Sequence, residues 1–131
     1  DYIHVEDLGS AHVAALKSLE AGNSSQILNC GYGKGYSVRE VIECVKTISG
    51  VDFAVLESER RQGDPACVTA SGDKIRRLLN WQPQYDDLDV ILRTALLWEI
   101  RRENYNLKHP LIRRIAKRLR DISINTFQLN Y

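Results

Sequence analysis

Apolar residues return along the chain at helical spacing in five places and in shorter unbroken runs in three others. Leu8, Ala11, His12, Ala15, Leu16 and Leu19 follow the i, i+3, i+4, i+7 pattern of one helix face, and Gly22-Asn23 stops it, which predicts an amphipathic helix from about Asp7 to Ala21. Ser37-Val38-Arg39-Glu40 reads as a capping box, in which the hydroxyl and the carboxylate satisfy amides that a first helical turn leaves free. The helix it opens places Val38, Val41, Ile42, Val45 and Ile48 on one side and ends near Ser49-Gly50. Ser71 is the expected cap of a short helix bearing Ile75, Leu78 and Leu79, broken by Asn80-Trp81-Gln82-Pro83. From Asp86 a longer helix is expected, with Asp86, Asp87 and Asp89 at its positive end and Leu88, Ile91, Leu92, Ala95 and Trp98 inward. Gln26 to Cys30, Asp52 to Glu57 and a piece around Cys67 to Thr69 read as strands. Short strands alternating with helices predict an α/β fold.

Charge divides the chain further. The formal net charge is +1, yet residues 1–100 carry a net −5 and residues 101–131 a net +6. Residues 1–104 are therefore expected to form one domain and residues 105–131 a basic amphipathic tail. In that tail Leu111, Ile112, Ile115, Leu119 and Ile122 can form a stripe opposite Arg113, Arg114, Lys117, Arg118 and Arg120, with Pro110 at the helix start. A helix packing on its own protein or on a second subunit is preferred to contact with an anionic membrane. Nucleic acid is excluded, because the tail has few aromatic side chains for stacking and the acidic body repels phosphate backbones. Hydrophobic residues make up 44% of the 131, enough for an ordinary core. No apolar run reaches the roughly 20 residues of a membrane span. The opening Asp1-Tyr2-Ile3-His4 is unlike a signal peptide, and its extended start without a cap or Met predicts a piece of a longer chain. Cys30, Cys44 and Cys67 are odd in number and contain no Cys-x-x-Cys, which argues against a zinc knuckle or a disulfide framework and for a reducing cytoplasm.

Arg60-Arg61-Gln62-Gly63-Asp64 concentrates the candidate chemistry. Arginine's planar fork suits phosphate oxygens, and an ionised aspartate, which only accepts, suits the vicinal hydroxyls of a ribose. From these residues alone two readings stand, a solvated charged turn and a grip on a nucleoside diphosphate. Gly31-x-Gly33-x-Gly35 is not a dinucleotide fingerprint, since position 36 is Tyr where the G-x-G-x-x-G pattern needs its last glycine. Lys34 followed by Gly35 is no Walker motif. His4, His12 and His109 lie at no metal-ligand spacing, and no tyrosine begins a Tyr-x-x-x-Lys pair.

Four motifs in order resemble the C-terminal half of UDP-glucose 4-epimerase and its extended short-chain dehydrogenase relatives. They are Asp1-Tyr2-Ile3-His4-Val5-Glu6-Asp7-Leu8, then Leu28-Asn29-Cys30-Gly31 with Gly33, Ser37 and Val38, then Arg60-Arg61-Gln62-Gly63-Asp64-Pro65-Ala66, and then Leu79-Asn80-Trp81-Gln82-Pro83. The match runs over residues 1 to about 100. The resemblance implies a small mixed α/β substrate-binding domain of a Rossmann-type nucleotide-sugar epimerase with the Rossmann half absent. NAD and the catalytic residues then belong to that N-terminal half, the chain's expected partner, and no residue here is expected to be catalytic. The UDP-sugar is held by Val38 on its apolar side, by Arg61 at the diphosphate, by Gln62 and Gly63 in the same turn, and by Asp64 at the ribose. Val68 falls where the family gates the sugar pocket, and a valine there leaves room for an N-acetyl group. A dehydratase or decarboxylase of the same family and a non-enzymatic binding module remain the alternatives, and a homodimer of the full enzyme stays open.

Overall fold

The computed structural model describes residues 1–59, 62–104, 110 and 113–117. These form two compact units, Asp1–Ser37 with Glu59–Ile91, and Val38–Ser58 with the described residues from Leu92 on. The helices are α1 (Val5–Glu20), α2 (Val38–Ser49), α3 (Asp73–Leu79) and α4 (Leu88–Asn104), and residues 110 and 113–117 are also helical.

In the first unit, α1 starts at His4, whose extended backbone and Nδ1 atom, accepting from the Glu6 amide at 3.1 Å, cap the first turn. It ends where the Gly22 amide donates to Leu19 O at 2.9 Å, with Gly22 at φ +81°, a left-handed closure that favours glycine. Only the alanine edge of the expected face is covered. Asp7 and Ala11 are buried, whereas Leu8, His12, Leu16 and Leu19 are exposed. The reason is close approach: Ala11 meets Ile75 and Trp81 in the core, with Ile3, Leu28, Cys30 and Leu79 packed around them. The Trp81 indole donates to Ser10 Oγ at 2.8 Å, so a leucine-bearing face could not lie there without displacing a hydrogen-bonded contact.

Helix α3 has Gly72 rather than Ser71 as its cap residue, although the Ser71 hydroxyl still accepts from the Asp73 amide at 3.3 Å. Asn80, left-handed at φ 49°, ends it. Ile75 is buried as expected, and Leu78 is exposed.

In the second unit, α2 follows Ser37 directly, with Val41, Ile42 and Val45 half-buried and Ile48 buried, while Val38 is exposed. Val51 is sealed from water, and its amide donates to the buried Ser49 hydroxyl. Lys46 Nζ lies 2.8 Å from Asp52 Oδ1 and 5.7 Å from the Phe53 ring centre, and Arg39 reaches Glu57 at 2.7 Å. Surface pairs of this kind are worth only about 0–1 kcal/mol each. Asp87, not Asp86, opens α4, its Oδ1 accepting from the amides of Asp89 and Val90 at 2.8 and 3.3 Å. Along α4, Ile91 at the end of the first unit and Leu92 and Ile100 in the second are buried, but Ala95 and Trp98, expected inward, are exposed.

The three strand expectations are corrected. Residues 26–30, 52–57 and 67–69 lie outside any helix, and among the described residues no strand ladder forms. A strand has no hydrogen bonds of its own, so an apolar run becomes one only where a neighbouring edge accepts it. The stripe expected for the tail falls largely outside the described residues, though Ile115 within it is buried, as is the neighbouring Ala116.

Candidate functional site

The motif residues of the first unit converge on two facing loops. Residues 67–72 run so close to the glycine loop 31–35 that Gly31 and Gly72 have no room for a Cβ. A Cβ on Gly31 would stand 2.6 Å from Asp1 Oδ2 and 2.8 Å from Ala70 Cβ, and one on Gly72 would stand 2.7 Å from Gly31 O. At Gly35 the same atom would meet Thr69 Cγ2 at 3.3 Å and Cys67 Sγ at 3.5 Å. The glycines thus serve close backbone approach.

Asp1 ties the loops together. Its Oδ2 accepts from the amides of Gly33 at 3.2 Å and Ala70 at 3.0 Å, and its own nitrogen donates to Val68 O at 2.9 Å. Beneath it lies a buried polar cluster. The Tyr32 hydroxyl donates to Asp7 Oδ2 at 2.6 Å and accepts from the His4 amide at 3.0 Å, while Asp7 also accepts from the amides of Gln84 at 2.8 Å and Tyr85 at 2.9 Å. The His4 and Tyr85 rings stack with centres 4.5 Å apart. Burial, then the bond to Asp7, pushes the Tyr32 phenol well above its ordinary range, and burial followed by the Asp7 charge raises the Cys30 thiol.

On this footing the candidate residues face water. Gln62 and Gly63 form a turn, with Gly63 at φ +89°, and Asp64 and Val68 follow it, all exposed. Val68 is fixed through its backbone carbonyl while its side chain stays 62% exposed. Backbone rigidity with side-chain freedom is what a binding edge needs. Arg60 and Arg61 lie outside the described residues. Val38 is exposed at the start of α2, in the second unit.

The glycine loop does not offer a cradle for a dinucleotide pyrophosphate, because residues 67–72 and Asp1 fill the space beside it. Lys34 on that loop is paired with Asp86 Oδ2 at 3.2 Å. The glycine loop therefore does not fit the pyrophosphate of NAD. Among the described residues no three His, Cys, Asp or Glu side chains could together hold a metal ion, and no helix is long and apolar enough to cross a membrane.

Sequence reasoning missed Asp1, Asp7 and Tyr32 as the residues that position the site. The only signal for Asp1 and Asp7 was their place in the first motif; Tyr32 was visible only as a filler between glycines.

No protein-family model matches the chain. It is similar to the UDP-glucose 4-epimerase of Azospirillum brasilense, at 50% identity over 99 residues, which is 76% of this chain and 28% of that protein. The UDP-glucose 4-epimerase of Lacticaseibacillus casei is 43% identical over 98 residues, 75% of this chain and 30% of that one. Among solved structures, the UDP-Glc/GlcNAc 4-epimerase from the human pathogen Campylobacter jejuni matches with a TM-score of 0.69 at 51% identity, over 77% of this chain and 30% of that one. A crystal structure of a UDP-glucose 4-epimerase matches with a TM-score of 0.75 at 38% identity, over 79% and 32%. The chain spans less than a third of the length of these relatives and corresponds to their C-terminal part.

Proposed function

Because the chain belongs, over three quarters of its length, with the C-terminal part of the UDP-glucose 4-epimerase family, we propose that it is the UDP-anchoring part of an NAD-dependent nucleotide-sugar 4-epimerase. The observation that carries this is the exposed Gln62-Gly63-Asp64 turn, left-handed at Gly63 and followed by a backbone pinned at Val68 and Ala70.

In this reading the Arg61 guanidinium pairs with the diphosphate, the Asp64 carboxylate accepts from the ribose hydroxyls, and Gln62 and Gly63 shape the turn between them. Val38 covers the apolar side of the nucleotide. NAD would be held by the N-terminal part of the family's polypeptide and, when bound there, would supply the redox chemistry at C4 of the sugar. The residues of this chain supply none of the proton or hydride steps. They hold the non-reacting nucleotide so that its binding energy positions the reacting carbon.

Val68 bears on which sugar follows the UDP. A short, exposed side chain at this position leaves room for an N-acetyl group, and the similarity to a protein described as a UDP-Glc/GlcNAc 4-epimerase supports acceptance of both hexose types. Replacing valine by a bulky aromatic, Val68→Tyr, should penalise UDP-GlcNAc more than UDP-Glc.

Titrating UDP against the purified chain tests the anchoring. Charge-assisted hydrogen bonds are worth about 1.5–3 kcal/mol, so Arg61→Ala and Asp64→Ala should each weaken binding by about tenfold to a hundredfold. Binding that neither change alters would mean that the turn serves some other contact. The chain alone should show no epimerase turnover, and measurable turnover would refute the division of labour.

A further inference from the structure

The motifs shared with the epimerases end at Pro83, and further on the chain turns basic. Residues 101–131 carry a net +6 against a net −5 for residues 1–100. Arg101 and Arg102 stand exposed toward the end of α4, and Arg113, Arg114 and Lys117 stand exposed on the helical residues 113–117 of the same unit. Ile115 and Ala116, between the last three, are only 3% and 4% exposed. The protein itself thus covers the apolar side of this segment, and its charges are what it turns to solvent. One further side chain breaks the polar surface. Trp98 is 64% exposed, and Arg101 and Arg102 follow it at i+3 and i+4 on the same face of α4. An indole, apolar in body with one N–H donor, is at its best where water meets hydrocarbon.

Charge and residue type choose the occupant. Five exposed cations on two helical segments suit an extended negative surface better than a single small anion. The exposed pair of Arg102 with Glu99, at 2.6 Å, is too weak to cancel the patch. Nucleic acid fits less well, because one exposed tryptophan offers a single stacking platform. A membrane approaches from one side, and acidic groups more than a Debye length of about 8 Å away are screened from it. We infer that Trp98 and Arg101, with Arg113, Arg114 and Lys117, rest on the surface of an anionic phospholipid membrane, held by charge with the indole at headgroup level. The association is peripheral, since no helix among the described residues is long and apolar enough to cross a bilayer. It is independent of the UDP reading, which uses none of these side chains.

Co-sedimentation of the full chain with phosphatidylcholine vesicles, with and without an equal share of phosphatidylglycerol, tests the inference. Only the anionic vesicles should carry the chain down, and salt at about 1 M, where the Debye length falls to about 3 Å, should release it. Arg113→Glu combined with Arg114→Glu should weaken partitioning at least about tenfold and leave UDP titration unchanged. If that variant melts early, Arg114→Gln combined with Lys117→Gln makes the same comparison and should weaken partitioning at least about threefold. Fluorescence reports the contact directly. The other tryptophan, Trp81, is 4% exposed and already out of water, so a blue shift with anionic vesicles should come from Trp98 and vanish in Trp98→Phe. Equal partitioning onto neutral vesicles, no partitioning, partitioning that survives both sets of charge changes, or a shift that persists in Trp98→Phe each overturn the proposal. Tighter binding to poly(U) than to the vesicles at the same salt would make nucleic acid the occupant and overturn it too.

Discussion

Tyr32 and Asp7 share a hydrogen bond of 2.6 Å and are 7% and 2% exposed, so the first turn of α1 is bonded directly to the glycine loop in the absence of water. Asp7 is then a carboxylate with all its acceptor capacity turned inward, toward one phenol and the amides of Gln84 and Tyr85.

Removing that carboxylate should cost more than removing the phenol. Asp7→Ala takes the acceptor from two part-buried amides and leaves the Tyr32 hydroxyl only its 3.3 Å bond to Tyr85 O, so a loss of about 3 kcal/mol is expected. Tyr32→Phe leaves Asp7 with two amide partners and strands the His4 amide, for about 1–3 kcal/mol. Urea unfolding followed by circular dichroism checks the order, and Asp7→Ala proving the milder change would contradict the network.

Alkaline pH should unfold the protein through Tyr32. Its phenol holds its proton more tightly in the folded state than the ordinary value of 10.0, chiefly because of burial. A raised folded value means the contribution is complete below about pH 10, the unfolded value, and is lost as pH rises beyond it. Phenolate absorbance should show one tyrosine ionising together with unfolding rather than before it, and Tyr32→Phe should remove that step.

Two glycine substitutions should act in opposite directions. Gly9 lies inside α1 with nothing within 4 Å of its Cβ position, so Gly9→Ala should stabilise by about 1 kcal/mol. Gly31→Ala drives a methyl group into Asp1 Oδ2 and Ala70 and should destabilise by about 1–3 kcal/mol. Thermal melting of both variants reads the signs directly.

Thiol labelling should rank the cysteines. Cys67 is exposed, whereas Cys30 is half-buried with its thiol raised by burial and by the Asp7 charge. At mildly alkaline pH, Cys30 should react about tenfold more slowly than Cys67, and comparable rates would mean that the cluster around Asp7 is open to water.

Local chemistry made part of this molecule legible in its sequence. The four helices lay in the periodicity, and the candidate turn took its reading from the motifs on either side, because its residues alone fit a solvated charged turn as well. The buried face of α1 was not legible, because periodicity finds an apolar stripe but not what covers it, and here Leu16 and Leu19 remain uncovered. The strands at 26–30 and 52–57 failed as predictions because ladder formation depends on a second edge. Asp7 and Tyr32 could not be paired in advance, since a hydrogen bond across 25 positions has no local signature.

Asp1 gives one oxygen to two amides, those of Gly33 and Ala70. Neither loop can swing away without disturbing the acceptor on which the other depends, so the two should loosen in a single event. Their amides should accordingly exchange hydrogen at matched rates. A ligand that stills the chain near Val68 would then quiet the glycine loop as well, with no contact of its own there.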